Sequence, residues 1–158
     1  MQRAEHINHS RVRTNNDYDI TDVVRFEKVD VGCFILRITI GGLMLIHGFN
    51  KLMTGTEQVD QILMSVGLPA FFSFGVFLGE VIGPAMMIIG WKVRIAAFLV
   101  AFNMLMAILL VHSSDFLKIS PGGGWMLELN ALYLLGAIAV FFLGSGRFSL
   151  SRGRGNLD

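Results

Sequence analysis

Four apolar stretches of roughly membrane-spanning length, at about 31–49, 71–89, 95–111 and 126–143, take up most of this chain. A helix needs about 20 predominantly apolar residues to cross the hydrocarbon core of a bilayer. The stretches therefore predict an all-α membrane protein, a four-transmembrane-helix bundle. Over the 158 residues, what they leave is a polar N-terminal tail, three loops and a short basic C-terminus, with no room for a separate soluble domain. The predicted organisation is a polar tail over 1–30, read as disordered, a four-helix domain over 31–146, and a basic tail over 147–158.

The distribution of charge orients the bundle. Ten basic residues fall on one face under this topology: Arg3, Arg11, Arg13, Arg25 and Lys28 before the first span, Lys92 and Arg94 in the second turn, and Arg147, Arg152 and Arg154 after the last span. The opposite face carries only Lys51 and Lys118. Basic residues flanking spans stay in the cytoplasm, so both termini are expected inside, in agreement with an even number of spans. Nothing in the sequence points to nucleic acid as a partner.

Ionisable residues inside the spans are few, and each costs about 2.5–3.5 kcal/mol to place at the centre of a membrane helix. They are therefore expected to be paired, turned inward or used. The first span holds Arg37 and His47, with Lys51 just beyond it; at 100° per residue these three lie within an arc of about 80°. The second holds Glu80, with Pro84 four residues later removing the hydrogen bond to the Glu80 carbonyl. The third carries Asn103 and ends at His112, nine residues on and about 180° around the helix, so only one of them can face the interior. The expectation here is His112. The fourth begins near Glu128 and Asn130.

Alternating span directions place His47, Lys51, His112 and Glu128 in one layer near the outer face, with Arg37 and Glu80 as deeper supporting charges. One reading is structural: Arg37 with Glu80 and Lys51 with Glu128 as pairs that fix helix register. A second is a binding site for the polar head of a quinone-like molecule, with Met and Phe side chains enclosing its apolar body. A third is a path for a proton or small solute. Metal or haem is disfavoured, because no histidine spacing is diagnostic. The single cysteine, Cys33, excludes an intrachain disulfide or a C-x-x-C redox pair. Between the first two spans, Val59, Ile62, Leu63 and Val66 recur at helical spacing, which predicts a short interfacial helix closed by Gly67-Leu68-Pro69.

The ordered set Arg37…His47-Gly48-x-x-Lys51, Gly67-Leu68-Pro69, Gly79-Glu80-x-x-Gly83, Arg94…Met104…His112 and Glu128-Leu-Asn-Ala-Leu-Tyr133, leading to Gly144-x-Gly-Arg147-Phe-Ser149, resembles the DoxX family of small bacterial membrane proteins. The resemblance runs over about residues 30–151. It implies a multi-pass bundle of the bacterial inner membrane, similar to the small subunit of a thiosulfate:quinone oxidoreductase and linked to quinone-dependent redox and oxidative-stress systems. Because the chain has neither a redox cysteine pair nor a nucleotide-binding loop, the electron-transferring cofactor is expected in an oxidoreductase partner subunit, with homo-oligomerisation left open. By motif position it implicates Arg37, His47, Lys51, Glu80, Arg94, His112, Glu128 and Arg147, with Arg94 and Arg147 as cytoplasmic anchors. Ser151 stands where the pattern more often has Asp, and Pro84 where a second Gly is common.

Overall fold

Long apolar runs with few helix breakers favour helix wherever the backbone must satisfy its own hydrogen bonds. The computed structural model follows that rule. It describes residues 20–151, 155, 157 and 158, with side chains from Lys28 onward. The tail expectation over residues 1–19 and the basic residues Arg152 and Arg154 lie outside the described residues. Helix α1 spans Ile20–Thr54, α2 Glu57–Ser65, α3 Ala70–Ile89, α4 Val93–Leu110 and α5 Glu128–Leu143. Among the described residues there is no strand, only an isolated antiparallel bridge between Ile119 and Trp125.

Helix α1 begins well before residue 31, inside the stretch read as tail. Once a span has nucleated, adding residues to its end costs far less than starting a helix. Asp30, on that added turn, also accepts a 3.0 Å hydrogen bond from the Arg147 backbone N–H. Three segments are long and apolar enough to cross a membrane: Lys28–Thr54, Ala70–Ile89 and Val93–Leu110. The fourth apolar helix, α5, has 16 residues and is about 24 Å long. It is shorter than the apolar stretch because the Glu128 N–H bonds the Trp125 carbonyl in a tight turn, leaving Met126 and Leu127 outside the helix.

Helix α3 is not uniform. A 3₁₀ turn, Ala70–Phe74, leads through Gly75–Phe77 into a π turn, Leu78–Ile82, before regular helix resumes over Gly83–Ile89. Pro84 lies just past the π turn and cannot donate to the Glu80 carbonyl, so the wider hydrogen bonding takes hold where the α ladder is already broken. The short helix predicted between the first two spans is present as α2, with Leu63 buried.

The four large helices close into a ring in which α1 packs on α3 and α5, and α4 packs on α3 and, most extensively, on α5. The core between them is apolar. Ile40 and Met44 of α1 meet Met87 of α3, Val100 and Met104 of α4, and Tyr133 and Val140 of α5. Ala96, Ala97 and Ala137 are fully buried and keep α4 and α5 close, as small residues do at membrane-helix contacts.

Candidate functional site

Glu80 points into the bundle from the π turn and is 3% exposed. A charge removed from water needs partners, and two converge on the same oxygen. Lys51 Nζ donates to Oε1 at 2.5 Å, and Asn103 Nδ2 donates to it at 3.2 Å. The other carboxylate oxygen, Oε2, is buried and has no hydrogen-bond partner among the described residues. The Lys51 side chain remains 33% exposed, so it is the part of the cluster that reaches the surface.

Two glycines make this convergence possible. A side chain at Gly48 would run into the carbonyl of Glu80, and one at Gly79 would run into the side chain of Asn103. Their bareness lets the end of α1 and the middle of α4 close on the π turn from either side. Lys51 lies one helical turn beyond Gly48 and therefore lands on Glu80.

This geometry corrects the expected layer in three places. Glu80 pairs with Lys51, not with Arg37, and Lys51 consequently does not pair with Glu128, whose carboxyl lies against Gly124 in the loop before α5. Of the two polar residues on α4, Asn103 faces the interior. His112, just past the helix end, lies 3.2 Å from Asp115 through Nδ1. His47 is on the outer surface of the ring, its imidazole set edge-on to Tyr133 with centroids 5.9 Å apart. Lys51 and His47, one turn apart on the same side of α1, thus meet different neighbours, Lys51 on α3 and His47 on α5. Asn103 is the site residue that sequence reasoning set aside. The signal for it was available: a lone amide at mid-depth in an otherwise apolar helix.

Arg37 is 1% exposed and lies at the other end of the ring. Its guanidinium donates to the carbonyls of Ser145 at 2.9 Å and Phe148 at 2.5 Å, and rests 5.7 Å over the Phe34 ring. The C-termini of α3 and α5 both end here, and their partial negative charge offsets the buried cation. That is why Arg37 needs no carboxylate. Around it Ser151 Oγ donates to the Gly90 carbonyl and Ser149 Oγ to that of Gly146, tying the segment after α5 across the bundle end. Arg147 holds Asp30 through its backbone and a 4.0 Å ion pair, and the Arg94 N–H donates to the Leu157 carbonyl. Lys28, Lys92, Arg94 and Arg147 therefore gather at one end of the ring.

Among the described residues no three His, Cys, Asp or Glu side chains are grouped so as to hold a metal ion. A shallow hollow of about 280 Å³ lies on α1, lined by Gly42, Leu45, Ile46 and Phe49, and is wholly apolar in its side chains. In the loop before α5, Asp115 accepts from Lys118 at 2.8 Å, and Lys118 together with His112 pulls its carboxyl below the ordinary aspartate value.

The DoxX family model matches residues 32–113. A curated Bacillus subtilis (strain 168) protein named "Putative oxidoreductase CatD" is 32% identical over 116 residues, which is 73% of this chain and 81% of that protein. No solved structure matches. The family match takes in Arg37, Lys51, Glu80 and Asn103 together, and with the relative's coverage it settles the affiliation: this chain is a membrane protein that belongs to the DoxX family.

Proposed function

We propose that this chain is an integral subunit or accessory of a quinone-linked oxidoreductase in a bacterial inner membrane, with the Lys51–Glu80–Asn103 cluster receiving the quinone head. The observation that carries this reading is the half-satisfied carboxylate. Glu80 Oε2 is buried without a donor while Lys51, reaching the surface, uses one of its three N–H donors on Oε1. A ligand oxygen arriving from the membrane would meet an ammonium with donors to spare and a carboxylate with an acceptor to spare. The name of the Bacillus relative supports an oxidoreductase association.

Under this reading α5 is the fourth span, and both termini lie in the cytoplasm with the basic end of the ring. The quinone supplies two-electron redox chemistry. The chain's own residues bind and orient its head, and the electron donor resides in a partner, since Cys33 is the chain's single thiol. A transport path is the weaker reading. Ile40, Met44 and Met87 fill the interior at depths between Glu80 and Arg37, and the Arg37 end is closed by backbone carbonyls.

The test is gentle purification of the full chain from its native membrane, with mass spectrometry of protein and lipid fractions. A stoichiometric oxidoreductase with quinone, lost together in a Lys51→Met variant that still folds, is the expected result. A homogeneous preparation that carries neither would overturn the reading.

A further inference from the structure

Resting on the quinone reading, we infer that the Glu80 cluster selects between the two redox forms of its ligand and favours the hydroquinone. Lys51 offers N–H groups, which both a quinone carbonyl and a hydroquinone hydroxyl oxygen can accept. Asn103 already directs its amide N–H at Oε1. What remains is Glu80 Oε2, a buried acceptor with no donor among the described residues. A hydroquinone hydroxyl supplies that donor while its oxygen accepts from Lys51. A quinone carbonyl satisfies Lys51 and leaves Oε2 without a partner. Leaving a buried acceptor unpaired is the expensive half of hydrogen-bond energetics and corresponds to a discrimination of about tenfold or more.

Geometry favours Glu80 as the discriminating residue over its neighbours. Its carboxylate is fixed on one side by the two donors on Oε1, and its backbone is clamped between Gly48 and Gly79, so Oε2 cannot turn away to find a partner elsewhere. Lys51, one-third exposed, is the part of the cluster that must move aside for a ring to enter.

The full chain in phosphatidylcholine nanodiscs, whose headgroups carry no hydrogen-bond donor, is titrated calorimetrically without oxygen against ubiquinol-1 and ubiquinone-1, with empty nanodiscs as the blank. The inference predicts about tenfold tighter binding of the quinol to the native protein. Glu80→Gln places an amide N–H donor where Oε2 was, so the preference should vanish or invert. Lys51→Met should weaken both forms and retain the preference for the quinol. Equal affinities in the native protein, or a ratio untouched by Glu80→Gln in a variant that retains its helicity, would overturn the selectivity while the quinone reading stands. Binding of neither form to the native protein would overturn both.

Discussion

Glu80 is the residue on which the account turns, because a carboxylate at 3% exposure in a membrane bundle persists only while its partners do. Removing Lys51 leaves an uncompensated buried charge, which costs about 3–5 kcal/mol when a buried pair is broken on one side. Lys51→Met is therefore expected to lower unfolding stability in detergent by about 3 kcal/mol, the lower end of that range because Lys51 is partly exposed. The double change Lys51→Met/Glu80→Met should restore most of it. Chemical unfolding followed by circular dichroism checks both; a double variant as unstable as the single one would mean that the pair is not what Glu80 requires. Burial of Arg37 and Glu80 was legible in the sequence, since charges inside apolar stretches must turn inward. Their pairing was not. Counting 100° per residue relates positions on one helix and says nothing about which neighbour that face meets. Arg37 also escaped the search for a carboxylate because its compensation comes from backbone carbonyls and two helix ends, which no side-chain pattern announces.

At the scale of elements, the π turn in α3 is the least regular piece and the one that places the site. Pro84 was readable as a break in the ladder. The widening of the turn to Leu78–Ile82, which changes the direction of Glu80 relative to a straight helix, was not. For the same reason Asn103 and not His112 meets the carboxylate. Gly79 lets α4 approach exactly at Asn103, whereas His112 lies beyond the helix end, where a loop carboxylate takes it. Gly48→Val is expected to push α1 off the π turn, costing about 1–3 kcal/mol as overpacking does. It should also abolish the Lys51–Glu80 contact, read as loss of ligand affinity larger than the loss of stability implies. Unchanged affinity would remove Gly48 from the account. In the loop before α5, the folded Asp115 carboxyl is held below its unfolded value, chiefly by Lys118 and then by His112. A depressed carboxyl contributes stability that is complete above its unfolded pKa and is lost as pH falls through the folded one. The loop should therefore stay ordered through neutral and mildly acidic pH and loosen only below the ordinary aspartate range. Asp115→Asn should remove that acid transition, as followed by Trp125 fluorescence.

For the whole molecule, the ring has two unlike ends. One is polar and half-satisfied around Glu80; the other is sealed by Arg37, the serines after α5 and the basic turns. The all-helical class and the separation of charge between the two ends were legible, because apolar length and basic flanks are properties of composition along the chain. The shortness of α5 was not, because Met126 and Leu127 are as apolar as the helix they precede and only the turn at Trp125 excludes them. Arg37→Leu is expected to release the segment after α5, so that trypsin cuts at Arg147 in the variant and not in the native protein. Equal resistance would show that Arg37 does not hold that end closed.

The central claim is that the cluster of Lys51, Glu80 and Asn103 receives a quinone head, and the most direct measurement is photolabelling with an azidoquinone followed by peptide mapping. The account predicts label concentrated on the end of α1 around Lys51 and on the π turn of α3, displaced by excess unlabelled quinone and lost in Glu80→Leu. Label spread evenly over the outward faces of the helices, indifferent to competitor and to Glu80→Leu, would contradict it.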